Sequence, residues 1–462
     1  MSGGTEGERA SFSGRIGFII AAAASAVGLG NLWRFPYLTS HFGGGIFVVV
    51  YIILALTFGF SLMVAEIAIG RKTGKSCTTA FRELSEKHGW IGTLAGIVPM
   101  LIVPYYCVIG GWVFKWFFES ASGSLSVLSS DGGSFWWEYI TGEAEGMGDP
   151  FIWFALFAAA CVICIAIGVD KGIEKMSKIL MPSLLMMIVV ITAYEMTLPG
   201  IWDGIVFYLS PDVSKLSMGT FLGATSQIFY SMSLAMGIMI TYGSYMRKED
   251  SIEKSVRGIS MIDTAVAILA GLLIVPSAFM FGFGDSQSMG LMFVSLPQVF
   301  AQMPGGAIVA PVFYLMVLFA AMTSAISLLE AVVSGFMDRF RIERRRSLAM
   351  AGSAVAVLGA FCILGFGPLM TNLAPFDQGA GWLGIFDMVT NSLLMPIVAV
   401  LTCAFIGFVI KTKPIEDEVE ACGNPFRSKG LFRVMIRFVC PICLLAILIF
   451  GLADMFGLLS IY

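Results

Sequence analysis

Arg34, Glu66, Asp263, Glu330 and Asp387 lie inside, or at the ends of, stretches otherwise built of hydrocarbon side chains. A charge at the centre of a bilayer costs on the order of 3 kcal/mol or more, so such residues mark ion or substrate pathways or pair with one another. Asn31, Gln227, Thr323 and Ser324 add oxygen without charge in the same surroundings. The two histidines, His41 and His88, fall at the ends of apolar stretches, and no Cys or phosphate-loop cluster accompanies the acids. Oxygen donors suit a hard cation, whereas softer transition metals take nitrogen or sulfur. Sodium fits this set, and a proton relay could use the same acids. For each acid the competing role is a structural salt bridge, which for Glu66 and Glu330 is at least as well supported.

These residues need apolar elements to hold them. Of 462 residues, 57% are hydrophobic and only 13% charged, with a mean hydropathy of +0.87. A spanning helix needs roughly 20 apolar residues. Eleven such stretches are readable, near 16–38, 44–70, 90–118, 151–168, 175–196, 218–245, 253–284, 309–337, 347–366, 382–410 and 431–458. The first twelve residues are polar and lead directly into a full-length span, so no cleavable signal peptide is expected. Lysine and arginine collect in cytoplasmic loops. Placing the N-terminus inside puts Arg9, Arg15, Arg71, Lys72, Lys75, Lys171, Lys175, Arg247, Lys248 and the run Arg344 to Arg346 in the cytoplasm, and the C-terminus outside. The net charge of −3 hides this asymmetry, and nothing points to nucleic acid. The paired cysteines Cys161/Cys164 and Cys440/Cys443 sit in apolar stretches without a His partner and read as buried filler.

Two stretches are interrupted in the same way, the first by Gly28-Leu29-Gly30-Asn31 and the sixth by Ser231 to Gly237. Glycine and serine weaken a helix and free backbone groups. At membrane depth such groups must bind protein, ion or substrate. Breaks at matching places in two halves point to the binding site of a secondary transporter. Helix packing through small residues is the other reading of either break taken alone.

The stretch Ser25-Ala-Val-Gly-Leu-Gly-Asn-Leu-Trp-Arg-Phe-Pro36, followed by Gly43-Gly-Gly45, closely resembles the first helix of the neurotransmitter:sodium symporter family. The similarity continues through Ala65 to Arg71, Tyr105-Tyr106, Gln227 to Tyr245 and Ala320 to Ser324, and covers spans 1 to 10 in order. The eleven-span count is similar to the bacterial branch, within it to members that carry several hydrophobic amino acids. The resemblance implies an all-α polytopic membrane protein of the leucine-transporter-like fold, with two inverted five-helix repeats and helices 1 and 6 broken. Residues 1–15 are then a cytoplasmic N-terminal segment and 16–410 the transport core. Residues 411–430 are a polar cytoplasmic linker, and 431–462 the eleventh helix with an outside C-terminus.

The resemblance also implies two sodium sites. One takes the Ala26 carbonyl, Asn31, Ser231, Asp263 and the substrate carboxylate. The other takes carbonyls of Ala24, Val27 and Ala320 with the hydroxyls of Thr323 and Ser324. N–H groups of Leu29 and Gly30 and the Tyr106 hydroxyl would bind the substrate carboxylate. Carbonyls of Ala26, Tyr230 and Ser231, with Ser233, would take its ammonium. The side-chain pocket would be Ile102, Tyr106, Tyr230, Ser233, Met236, Ser324 and Leu328. None of these is charged, and an unpaired charge there would cost several kcal/mol, so a neutral, mostly apolar L-amino acid is implied. Ala235, where relatives can have glycine, favours aliphatic substrates at least as much as aromatic ones. Arg34 and Asp387 would form the outer gate, with Tyr106 and Tyr230 as its lid. Arg9 and Asp338 would form the inner gate, near Phe12, Ser244 and Tyr245. Gly172 and Pro182 resemble the family's unwinding motif for inward release of sodium. Tyr51, Gln227, Ser231 and Ala267 map to the chloride site of animal members, and Asp263 stands where those members have Asn. Chloride independence is implied, and a proton taking sodium's place on Asp263 would give antiport.

The expected protein is therefore a sodium-coupled symporter of a bacterial inner membrane. A channel or sensor on the same scaffold is the rival, but the polar residues converge on two breaks rather than lining a pore. No nucleophile–base or metal constellation suggests an enzyme.

Overall fold

In hydrocarbon a backbone has no partner but itself, which leaves helices as the way across for a chain with these apolar runs. The computed structural model describes residues 11–129, 133–143, 148–282, 288–369 and 380–455. Among them, nine unbroken helices are long and apolar enough to span: Gly45–Thr73, Glu86–Ala121, Gly148–Ile167, Val169–Glu195, Ile252–Met280, Gly306–Phe340, Arg344–Leu364, Gly381–Val409 and Lys429–Ala453. These are spans 2 to 5 and 7 to 11. Span 1 is a pair, Arg15–Ala26 and Gly30–His41, bent by 53°. Span 6 consists of Met218–Ser231 and Ile238–Gly243, neither long enough to cross alone. The eleven apolar stretches thus all reappear, two of them as interrupted elements.

Spans 3 and 8 are the central pair; their most apolar windows are each 78% buried. Spans 4 and 11 lie at the rim, with 33% and 22% buried, and Ile152, Leu156, Ile163 and Ile167 of span 4 present a hydrocarbon face outward. The apolar residues of span 4 are therefore lipid-facing surface, which hydropathy alone does not distinguish from core.

The ends of the spans define two faces. On the face opposite the N-terminus, Trp136 stacks on Phe293 at 4.7 Å, nearly parallel, while Trp137 is exposed. Residues 133–143, after span 3, and the helical stretch 288–302, before span 8, meet at this stack. Lys115, buried in span 3, pairs there with Glu119 at 3.0 Å and Asp149 at 3.1 Å. On the N-terminal face, Phe12 lies buried against Phe18, Tyr242 and Tyr245. The segment 411–430, read from sequence as a linker, contains a helix, Lys413–Val419, whose Ile415 and Val419 are fully buried. Arg433 donates to both oxygens of Glu416 at 2.7 Å and holds that carboxyl down at about 2. Its folded pKa lies below the ordinary glutamate value of 4.5, so this contact stabilises above about pH 4.5 and is lost as pH falls toward 2.

Candidate ion and substrate site

The first helix of span 1 stops at Ala26, where Val27 turns extended with φ −71° and ψ 101°. The second begins at Gly30. Both glycines of the break are needed for space. A Cβ on Gly28 would lie 2.6 Å from Ser324 Oγ, and one on Gly30 would lie 2.7 Å from the Tyr230 ring. In span 6 the helix ends at Ser231, and Ser233 and Ala235 adopt left-handed φ of +53° and +57°. Such angles cost a residue with a Cβ about 1–2 kcal/mol, and they persist where surrounding contacts fix them. Here Glu66 Oε1 accepts from Ala235 N at 2.7 Å, and Ser233 Oγ donates to the Ser25 carbonyl at 3.1 Å. Glu66 thus braces the break in span 6 and lies outside the ion cluster. Glu330 likewise has a structural partner: Arg344 at 2.6 Å, with the Tyr245 hydroxyl donating at 2.7 Å.

Asp263 sits between the two breaks and is fully buried. Ser231 Oγ donates to its two carboxylate oxygens at 2.9 and 3.0 Å, and Asn31 Nδ2 donates to Oδ1 at 2.8 Å. Tyr51 OH lies 3.4 Å from Oδ2. The side-chain oxygen of Asn31 accepts from Gly28 N at 3.2 Å, which ties this cluster to the break in span 1. No basic side chain is bonded to Asp263 among the described residues, so its neighbours supply hydrogen bonds without balancing its charge. An oxygen-rich pocket carrying one negative charge suits a small hard cation.

A second oxygen group lies where span 8 crosses span 1. Ser324 Oγ donates to the Ser25 carbonyl at 3.0 Å and lies 3.4 Å from that of Val27. Thr323 Oγ1 is 3.1 Å from the carbonyls of Phe319 and Ala320 on its own helix. Ala24, Val27 and Ala320 are all fully buried, so their carbonyls are shielded from bulk water.

Between these groups Ala26, Leu29, Gly30, Ile102, Tyr106, Tyr230, Ser231, Ser233, Met236, Ser324 and Leu328 line one cavity, together with Ser25, Gly28, Asn31 and Ile238. Tyr106 OH accepts from Leu29 N at 3.3 Å, which brings the ring of span 3 to the break. The cavity holds about 20 Å³, room for about one water. A substrate of amino-acid size enters only when these walls separate. Ser25, Gly28 and Ile238 were not among the residues expected from sequence. The Ser25 carbonyl receives two serine hydroxyls, a role that leaves no mark in its side-chain type.

Over residues 9–138 and 124–459 the sequence matches the Sodium:neurotransmitter symporter family. A sodium-dependent transporter of Bacillus subtilis is 31% identical over 458 residues, covering 97% of this chain and 98% of its own. One from Methanocaldococcus jannaschii is 33% identical and covers 95% and 90% respectively. The crystal structure of MhsT in complex with L-phenylalanine superposes with a TM-score of 0.85 at 34% identity, covering 96% of this chain and all of the other. The chain belongs to the Sodium:neurotransmitter symporter family. It is a multi-pass membrane transporter and not an enzyme. Its broken spans 1 and 6 stand in the leucine-transporter-like fold at equivalent places of the two halves. A human sodium- and chloride-dependent GABA transporter is more distant, at 24% identity.

The gate residues are arranged differently from the direct pair expected of the family. Arg34 Nη2 donates to Ser226 Oγ at 2.8 Å, and its guanidinium lies 5.4 Å from the Tyr230 ring centre. Asp387 accepts from Asn391 Nδ2 at 2.6 Å. Arg34 and Asp387 are not in direct ion-pair contact in this structure; each has a hydrogen-bond partner of its own, Ser226 and Asn391. Of the other gate, Arg9 lies outside the described residues, while Asp338 Oδ2 accepts from Ser76 N at 2.6 Å. Span 5 begins with a wide turn at Val169–Glu174 that includes Gly172, and Pro182 follows inside the helix. Asp387→Ala is expected to keep measurable substrate binding while uptake falls roughly tenfold, about 1.4 kcal/mol in a closing step. Parallel equilibrium binding and uptake assays check this; equal losses in both would make Asp387 a binding residue instead.

Proposed function

We propose that the protein imports neutral hydrophobic L-amino acids by alternating access, driven by sodium at two sites and without chloride. The observation that carries this reading is the small uncharged cavity at the meeting of both helix breaks, with the Asp263 and Ser324 oxygen groups on either side of it. Leu29 and Gly30 N–H groups would hold the substrate carboxylate, and the freed carbonyls of span 6 its ammonium. Ile102, Met236 and Leu328 would meet its side chain. That MhsT is solved with L-phenylalanine supports a hydrophobic amino acid as cargo. The Lys and Arg distribution supports an inner membrane with the N-terminal face in the cytoplasm. Uptake of radiolabelled leucine, isoleucine, valine and phenylalanine into proteoliposomes, with sodium or potassium outside, tests the reading; uptake indifferent to sodium would overturn it.

The left-handed Ala235 bears on selectivity. Its methyl stiffens the break that would have to yield for a large side chain, and one methyl is worth about 1–3 kcal/mol in a pocket. Ala235→Gly is therefore expected to improve competition by tryptophan relative to leucine by roughly tenfold. The wild type should handle aliphatic substrates at least as well as aromatic ones. A wild type that prefers tryptophan over leucine and isoleucine by more than about tenfold would contradict this assignment.

A further inference from the structure

Between spans 10 and 11, the helix Lys413–Val419 reaches back under the cytoplasmic end of span 2. Its Glu418, nearly buried, accepts from Arg71 Nε at 2.8 Å and from Lys248 Nζ at 2.7 Å. Arg71 also donates to the Glu418 carbonyl. From the last turn of span 2, the same guanidinium reaches the loop that joins spans 6 and 7, donating to the Asp250 carbonyl at 2.5 Å and approaching that of Lys248 at 3.5 Å. Asn424 Nδ2 holds the Glu249 carbonyl of this loop at 3.2 Å. Glu253, at the start of span 7, accepts from Arg427 N at 2.7 Å and Ser428 Oγ at 2.9 Å.

The other side of the loop receives the start of span 1. Phe12 N donates to the Tyr245 carbonyl at 3.2 Å, and Arg247 Nε donates to the Phe12 carbonyl at 3.1 Å. The Phe12 ring stands 5.5 Å from Tyr242 and is buried. Span 1 cannot swing away from this face unless Phe12 leaves these partners. The buried Arg71 and the half-exposed Lys248 converge on one carboxylate, and a buried charge that loses its ion-pair partner is strongly destabilised. The loop that seats Phe12 thus keeps its shape through a charge supplied from the segment between spans 10 and 11.

We propose that Glu418 is a positioning residue of the transport cycle: through Arg71 it fixes the loop between spans 6 and 7 in the form that docks Phe12 and keeps the cytoplasmic pathway closed. This role presupposes alternating access, but its test uses no transport. Amide hydrogen exchange would be followed by mass spectrometry on the full-length protein in lipid nanodiscs, comparing wild type with Glu418→Gln and Glu416→Gln. In Glu418→Gln, exchange over residues 12–20 and 241–251 should quicken roughly tenfold, while residues 201–209 on the opposite face stay as in wild type. Glu416, whose partners Arg433 and Lys429 lie at the start of span 11, serves as the contrast. Its variant should loosen 413–434 and leave 12–20 protected. Unchanged protection of 12–20 in Glu418→Gln would overturn the proposal. So would equal loosening of both faces, or the same response from Glu416→Gln. If this exchange pattern holds while sodium-driven uptake is absent, the sodium coupling of the proposed function fails and the hold of Glu418 on the loop stands.

Discussion

Thr323→Ala combined with Ser324→Ala is expected to remove sodium activation of uptake. Hard cations collect about six oxygens, and these two hydroxyls would supply two of them beside the carbonyls of Ala24, Val27 and Ala320. A hydrogen bond or oxygen contact to a charged group is worth about 1.5–3 kcal/mol. Losing two therefore weakens sodium binding by on the order of a hundredfold or more. The Ser324 hydroxyl also bridges span 8 to the Ser25 carbonyl, so alanine there loosens the break in span 1 as well. Two measurements separate loss of the ion from loss of the fold. Sodium titration of uptake should lose saturation, and sodium should no longer raise the thermal unfolding temperature. The conservative exchange Thr323→Ser with Ser324→Thr keeps both oxygens and should keep sodium dependence. A double-alanine protein with wild-type sodium dependence would remove this site from the reading.

The parts of the candidate site that carry side-chain chemistry are legible in the sequence. Asp263 is legible because a carboxylate in an apolar stretch is costly and so conspicuous. The breaks at Gly28–Asn31 and Ser231–Gly237 are legible because small residues interrupt long hydrocarbon runs. The all-helical class and its two interrupted spans follow from these patterns, and the structure has them. What escaped is carried by the backbone or by distant partners. Ser233 and Ala235 have left-handed φ that residues other than glycine rarely adopt, so their types gave no hint. The bond from Ala235 N to Glu66 joins residues 169 apart in sequence. Arg34 was expected to seek the carboxylate of Asp387, but in this structure its guanidinium donates to the Ser226 hydroxyl and lies over the Tyr230 ring. The segment 411–430 reads as a solvated linker because it is polar and charged. Two of its acids, Glu416 and Glu418, are buried because Arg433 and Arg71, the latter 347 positions away from Glu418, come to meet them.

Asp263→Asn is expected to make transport dependent on chloride, whereas the wild type should not need it. In the chloride-dependent proteins this sequence resembles, the anion balances charge beside the first sodium. The resemblance would put that place in this chain between Tyr51, Gln227, Ser231 and Ala267. The Ser231 hydroxyl and the Tyr51 hydroxyl both point to the Asp263 carboxylate. Gln227 Nε2 donates to the Gly30 carbonyl at 2.9 Å, and Ala267, fully buried, offers no donor. Two of the donors an anion would use, Ser231 and Tyr51, are thus turned toward the Asp263 carboxylate, and the third is taken by a backbone carbonyl. Opposite charges within a few ångströms favour each other's ionised form, so a sodium ion bound there and Asp263 would stabilise one another without a third ion. Asn at 263 keeps the size and the hydrogen bonding but removes the charge, and the cation is left in a buried pocket without its counter-ion. Replacing chloride by gluconate should change wild-type uptake by less than about twofold. In the Asn variant it should cut uptake by at least roughly tenfold, the 1.4 kcal/mol scale of one lost charged contact. Wild-type uptake that collapses in gluconate would sink the assignment. An Asn variant indifferent to chloride and otherwise normal would do the same, because Asp263 would then be a hydrogen-bond partner and nothing more.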